Sequence, residues 1–179
     1  MRLFVAVWPG ASAIAHLAAA VEALQVDSGP PRWLPGERWH LTLAFLGEVD
    51  EATVPRLQAG LARAARRANR TELQLAGAGR FGNNVLWVGV AGSAEPLTEL
   101  AGRAGAAARR TGIVLEDRRF HPHLTVARGR DGCDLRLWAR ALVSYAGPSW
   151  PMDQVSLVRS TLGPRPSYTE LASWPIGRG

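Results

Sequence analysis

The sequence contains no lysine, and all 21 of its basic residues are arginine. A ligase that works through a lysyl-nucleotide intermediate needs a lysine nucleophile, and a Walker-type phosphate loop needs Gly-Lys-Ser or Gly-Lys-Thr. Both classes of protein are therefore excluded. Cysteine is almost as scarce, with Cys133 alone. A single cysteine excludes an intramolecular disulfide and any multi-cysteine zinc site, and it is typical of a reducing compartment.

Long apolar runs are also missing. The N-terminal run over residues 3–8 is broken by Pro9 and Gly10, and the alanine-rich stretch after it carries His16 and Glu22. That pattern differs from a secretion signal. No stretch approaches the roughly 20 apolar residues that span a bilayer. We expect a soluble, cytoplasmic protein that does not associate with a membrane, and a monomer by default.

The residues that are present suit one packed domain with an anionic partner. A chain of 179 residues with 47% hydrophobic content forms one domain, or two lobes too small to be independent. The formal net charge of +6 favours nucleic acid or a phosphate ester as the partner. A second interpretation of the basic charge stays open, because an arginine-rich composition can also reflect a compositional bias of the source genome.

A short phrase occurs twice, nearly half the chain apart. His40-Leu-Thr-Leu-Ala44 and His123-Leu-Thr-Val-Ala127 agree at four of five positions, and together they contain two of the four histidines. In a β-strand, residues two apart share a face. Each copy is therefore predicted to be a half-buried strand that presents one imidazole and one hydroxyl, from Thr42 or Thr125. Two such strands can bring both pairs to one small anionic group.

Hydrophobic periodicity and turn residues predict alternating strands and helices. Strands are expected over residues 3–8, 39–46, 72–78, 85–91, 113–115, 123–127, 154–162 and 168–174, and helices over residues 12–26, 54–65, 93–112 and 135–145. Loops are expected at 28–32 and 35–36, a turn at 163–166, and breaks at Pro148 and Pro151. The order indicates an α+β fold with mixed or mostly antiparallel sheets, made of a duplicated unit that places one motif (40–43 and 123–126) on each wall of a cleft.

Two imidazoles on opposite sides of a phosphorus atom can act as acid and base, because histidine titrates near neutrality. Thr42 and Thr125 can donate hydrogen bonds to the non-bridging oxygens of the phosphate. Arg128 can add a charge-assisted contact. Its odd offset from His123 would point it to the other face of a regular strand, so this role requires the strand to bend or end there.

A zinc site is the alternative use of these histidines. His121 and His123 flank Pro122, and with His40 they could form a three-histidine catalytic site. No second histidine accompanies His40, and Pro122 distorts the strand where ligands need fixed geometry. We therefore expect no metal, with His121 shaping the entrance of the cleft.

The paired His-x-Thr-x motifs resemble the signature of the 2H phosphoesterase superfamily. Within it, the sequence is similar to the bacterial and archaeal RNA 2′,3′-cyclic phosphodiesterases, also called 2′-5′ RNA ligases. The segments that carry the resemblance are 2–7, 40–47, 119–128, 155–160, Tyr168 and 174–175. The sequence departs from the family at Arg119, which directly precedes Phe120 where the family often has Arg-Pro-Phe.

The resemblance implies a bilobal, pseudo-symmetric fold over residues 1–179, with two mostly antiparallel sheets, helices on the outside and a central cleft. It implies hydrolysis of an RNA 2′,3′-cyclic phosphate end to a 2′-phosphate, without metal or cofactor. His40 would be the proton donor to the 3′ oxygen and His123 the proton acceptor that activates water. The reverse reaction with an RNA 5′-hydroxyl would give ATP-independent 2′-5′ ligation.

Two other functions stay open from the sequence. One is an RNA-end-binding module without significant catalysis. The other is a 2H phosphoesterase that acts on a small cyclic-phosphate nucleotide, such as ADP-ribose cyclic phosphate. Comparing a nucleoside 2′,3′-cyclic phosphate with a cyclic-phosphate-ended oligonucleotide separates these alternatives.

Overall fold

A computed structural model describes residues 1–25, 31–92, 94–163 and 166–177. Within these residues the chain forms nine β-strands and four α-helices. The strands are β1 (Arg2–Val7), β2 (Arg32–Trp33), β3 (Leu41–Glu48), β4 (Thr71–Phe81), β5 (Val85–Gly92), β6 (His123–Arg128), β7 (Ala146–Met152), β8 (Gln154–Thr161) and β9 (Ser167–Pro175). The helices are α1 (Ala11–Glu22), α2 (Val54–Arg66), α3 (Ala94–Arg110) and α4 (Arg136–Ala141).

The strands form one antiparallel sheet in the order β7-β4-β5-β6-β3-β1-β8-β9. The short strand β2 lies off this order and pairs with the C-terminal end of β6. The predicted α+β class and antiparallel pairing are confirmed. The two expected sheets are joined, because β3 and β6 connect the two four-stranded halves through a single residue pair, Leu41 with Leu124. The division of the chain into two lobes stays a prediction.

Each helix packs on one half of the sheet, α1 and α4 on the half that contains β7 and β4, and α2 and α3 on the half that contains β3 and β9. α1 packs on β7, α2 on β9, α3 on α2 and β3, and α4 on β4. The apolar faces predicted for α2 and α3 are the buried ones, as Leu57 and Leu61 of α2 and Leu97 and Leu100 of α3 show. Burial of these aliphatic side chains supplies most of the driving force for this packing.

Several predicted elements differ from the structure. Residues 113–115 form no strand, since Ile113 closes the end of α3 by donating to the carbonyl of Ala108 at 3.3 Å. The fourth helix is limited to Arg136–Ala141. The segment with two prolines, expected as a break, forms β7, which pairs with β4 at the edge of the sheet formed by the described residues. Proline is tolerated there because an edge strand leaves one side of its backbone unpaired.

The helix predicted over 12–26 ends at Glu22, and the short strand β2 occupies the end of the predicted 28–32 loop. Residues 26–30, Ser93 at the predicted start of the third helix, and Pro164 and Arg165 of the predicted turn lie outside the described residues. None of the helices in the described ranges has the length and apolar character needed to cross a bilayer.

Candidate active site

One cavity of about 650 Å³ collects all five residues that the sequence predicted for the site. It lies where the two halves of the sheet meet, between β3 and β6. The predicted residues in its wall are His40, Thr42, His123, Thr125 and Arg128. The structure therefore brings the two distant copies of the motif to one cleft.

A bulge directly after Thr42 shapes the first motif. Two adjacent residues of β1 pair with Thr42 and Ala44, which leaves Leu43 without a cross-strand partner. Leu43 and Ala44 are both buried, so the alternation of faces shifts by one residue. As a result Phe45, at an odd offset from His40, is exposed and lines the same cavity.

The second motif has its bulge at the equivalent position. Adjacent residues of β5 pair with Thr125 and Ala127, and Val126 is the extra residue. Val126 and Ala127 are buried, and Arg128 is exposed in the cleft wall. This is the bend that a role for Arg128 requires. Arg128 and Phe45 occupy equivalent places in the two copies.

The two imidazoles are held by the same type of hydrogen bond. Nδ1 of His40 donates to the backbone carbonyl of Arg38 at 2.7 Å, and Nδ1 of His123 donates to the carbonyl of His121 at 2.7 Å. A carbonyl only accepts, so the proton of each neutral ring lies on Nδ1. Because Nδ1 is used by this hydrogen bond, Nε2 is the nitrogen of each ring that can accept a proton or, once protonated, donate one.

Aromatic rings enclose His40. The ring of Phe4 stacks on it with centroids 4.8 Å apart, and Tyr168 meets it edge-on at 5.3 Å. Trp8 lies tilted at 5.3 Å. These three rings restrict the orientation of the imidazole and shield part of it from water, so that His40 is half-buried.

A second group of rings surrounds His123. Phe81 meets it edge-on at 4.9 Å, and Trp87 lies at 6.3 Å. His121 stacks on it at 6.0 Å and also contacts Trp87 at 4.8 Å. The two histidines thus have similar surroundings, built from different parts of the chain.

The surroundings favour the neutral form of both imidazoles. Burial lowers the pKa of His40 from 6.5 to about 4, and the positive charges of Arg38 and His123 act in the same direction. Burial also lowers the pKa of His123, with further lowering from His121 and Arg128. The hydrogen bonds to the carbonyls oppose these shifts without reversing them. A bound anion would raise both pKa values by stabilising the imidazolium.

Arg38 is a cavity residue that sequence reasoning missed. Its guanidinium lies over the ring of Tyr168, 5.0 Å from the centroid, and Nη2 donates to the Tyr168 hydroxyl at 3.4 Å. Its Nε is buried and has no hydrogen-bond partner among the described residues. The one feature of the sequence that could have indicated Arg38 is its position. Arg38 and His121 each lie two residues before a motif histidine.

The cavity wall is strongly cationic. Its described lining includes no aspartate or glutamate, and it includes five arginines, namely Arg2, Arg32, Arg38, Arg128 and Arg130. Such a wall is suited to a ligand that carries more than one negative charge.

No group of three or more histidine, cysteine, aspartate or glutamate side chains within the described ranges is arranged to hold a metal ion. The three-histidine zinc site of His40, His121 and His123 is therefore not supported by the geometry. The ring of His121 packs against Trp87, and His40 packs against Phe4 on the other wall.

Comparison with known proteins agrees with the geometry of the cleft. The family model of the 2′-5′ RNA ligase superfamily matches residues 14–164. An RNA 2′,3′-cyclic phosphodiesterase of Thermus thermophilus is 34% identical, over 98% of this chain and 90% of that protein. One of Geobacillus stearothermophilus is 32% identical over 80% of this chain, which spans about half the length of that relative. The apo crystal structure of Escherichia coli LigT superposes with a TM-score of 0.81 and 26% identity, over 98% of this chain and 97% of that chain.

Proposed function

Because the chain belongs to the 2′-5′ RNA ligase superfamily, we propose that it hydrolyses the 2′,3′-cyclic phosphate at the end of an RNA to a 2′-phosphate. The observation that carries the proposal is the matched pair of histidines. Each ring lines one cavity and is fixed through Nδ1 by an equivalent carbonyl. A protein that only bound RNA ends would not need two imidazoles oriented in this way.

In the proposed reaction, the two imidazoles act on opposite sides of the phosphorus atom. His123 accepts a proton from the attacking water through Nε2. His40, protonated on Nε2, donates its proton to the departing 3′ oxygen. The bond from phosphorus to the 3′ oxygen breaks as the bond to the water oxygen forms, with the two oxygens roughly in line. The product keeps its phosphate on the 2′ oxygen.

Thr42 and Thr125 are proposed to donate hydrogen bonds to the non-bridging oxygens, where negative charge must be held in the transition state. They lie two residues after the histidines and before each bulge, so they share the cleft face with the imidazoles. Arg128 is proposed to add a charge-assisted contact from the end of β6. These three side chains would bind the phosphate without exchanging protons with it.

The low pKa of His40 has a consequence for the order of events. At neutral pH a ring with a pKa of about 4 is almost entirely neutral, and it cannot act as an acid. The cyclic phosphate brings a negative charge between the rings and raises the pKa of both. We infer that substrate binding is accompanied by uptake of a proton by His40.

We also propose that the reaction uses no metal or cofactor, and that the same site can join an RNA 5′-hydroxyl to the cyclic phosphate in the reverse direction. Such joining would form a 2′-5′ linkage without ATP, which agrees with the absence of lysine from the chain. A cytoplasmic location and a monomeric state are part of the proposal. The single cysteine supports a reducing compartment.

The direct test is hydrolysis of a cyclic-phosphate-ended oligonucleotide by His40→Ala and His123→Ala variants. Each substitution removes one proton transfer and should lower kcat by about 10²–10⁴-fold. His16→Ala is the matched control, because His16 lies outside the cavity and contacts Tyr145. Retained turnover in either cleft variant would contradict the mechanism. Binding of the RNA end by the wild-type protein, with no product after long incubation, would support a binding module in place of the enzyme.

A further inference from the structure

Three arginines gather on the His123 wall of the cleft, and one of them, Arg128, is among the phosphate contacts proposed above. The short strand β2 pairs with the end of β6 and places Arg32 directly opposite Arg128. Arg130 follows two residues later and lines the same cavity. Gly129 between them allows the chain to lie against the β4–β5 turn, where its amide donates to the carbonyl of Asn84 at 3.0 Å. A β-carbon at Gly129 would overlap the carbonyl oxygen of Asn83.

This arrangement is unfavourable for the protein alone. Like charges directly opposite each other in an antiparallel pair are destabilising. Ion pairs among the described residues involve Met1, Arg103, Arg118 and Arg136 as cations, and none involves Arg32, Arg128 or Arg130. The described cavity wall contains no carboxylate that could compensate them. An anionic ligand would remove the repulsion.

The three arginines lie at the end of β6, away from His123 and Thr125. Thr125 pairs with Trp87 and Arg128 pairs with Val85, so the bulge leaves two strand steps between them, about 7 Å at the usual rise of a strand. Arg130 follows Arg128 by two residues and Arg32 faces Arg128 from β2, so both lie farther along this wall than a phosphate held between the two imidazoles and the two threonines. Arg128 lies between Thr125 and Arg130 along the chain, at the boundary between the two positions.

We propose that Arg32, Arg128 and Arg130 form a subsite for a second phosphate, the phosphodiester that joins the last two nucleotides of the RNA. In a single strand this is the anionic group nearest to the terminal cyclic phosphate. The proposal rests on the proposed function and narrows its substrate class. The preferred substrate is an RNA of at least two nucleotides, because a nucleoside 2′,3′-cyclic phosphate lacks the phosphodiester that would bind in the subsite.

Three substrates test the subsite in the wild-type protein. They are a nucleoside 2′,3′-cyclic phosphate, a dinucleotide with the same cyclic end, and that dinucleotide with a neutral methylphosphonate in place of the internucleotide phosphodiester. Charge-assisted contacts to the diester should raise kcat/KM by about tenfold or more over both other substrates. The dependence of log kcat/KM on log salt should also be steeper by about 0.7 for the diester than for the methylphosphonate.

Arg32→Gln and Arg130→Gln should each reduce the preference for the diester over the methylphosphonate dinucleotide by about tenfold. Arg66→Gln is the matched control, since Arg66 is an exposed arginine on α2 outside this cavity, and it should leave the preference unchanged. Equal kcat/KM for all three substrates, or a preference that survives both variants, would overturn the subsite while leaving the enzyme assignment intact. No hydrolysis of any of the three would overturn the proposed function itself.

Discussion

The pKa of His40 predicts a specific loss of stability in acid. Burial among Phe4, Trp8 and Tyr168 lowers that pKa from 6.5 to about 4. At 1.36 kcal/mol for each pKa unit, the folded protein disfavours the imidazolium by about 3 kcal/mol. The unfolded chain takes up this proton near pH 6.5 and the folded protein only near pH 4. Above pH 6.5 the ring is neutral in both states and carries no penalty. As the pH falls towards 4, only the unfolded chain takes up the proton, so the free energy of unfolding decreases.

A His40→Gln variant lacks this titration, so the comparison isolates it. Urea unfolding of both proteins can be followed by the fluorescence of the seven tryptophans. Between about pH 7.5 and pH 4, the wild-type protein should lose about 3 kcal/mol more than the variant, because the titration of carboxylates is common to both. His16→Gln, which removes an imidazole outside the cavity, should follow the wild type. Parallel curves for the wild type and His40→Gln would refute the buried, neutral imidazole.

Three further outcomes follow from the same structure. The value of kcat/KM should pass through a maximum below pH 6.5, because it reports the free enzyme and both cleft histidines have lowered pKa values; a maximum above pH 7 would contradict these surroundings. Hydrolysis should survive EDTA, and a loss of activity that zinc restores would return the three-histidine site to consideration. Gly129→Ala should destabilise the protein by about 1–3 kcal/mol in urea unfolding, because its β-carbon overlaps the carbonyl of Asn83. The control Gly102→Ala, in open space on α3, should stabilise it by about 0.5–1 kcal/mol, and equal effects of the two would refute the close approach.

The part of the candidate site that comes from the repeated His-x-Thr motif could be predicted from the sequence. The two His-x-Thr copies could be recognised because a period of two places both functional side chains of each copy on one face. The same rule placed Arg128 on the opposite face of a regular strand. The bulge at Val126 corrects this, and it depends on pairing with β5, which a single strand's pattern does not reveal.

The remainder of the cleft comes from contacts between distant segments. Tyr168 reaches His40 because β9 and β1 both pair with β8, and Arg32 reaches Arg128 through a strand of only two residues. Neither pairing has a local sequence signal. The edge strand β7 was missed for a related reason, because its two prolines argue against a strand unless its unpaired side is known.

The central claim is that both imidazoles act on one phosphate, and nitrogen NMR of labelled histidine tests it most directly. Titration with inorganic phosphate at about pH 6 should shift the Nε2 signals of His40 and His123 together, with one dissociation constant and with movement towards the protonated form. The signals of His16, which hydrogen-bonds to Tyr145 away from the cavity, should stay in place. A response from only one of the two rings, or responses that saturate at different phosphate concentrations, would contradict a shared site.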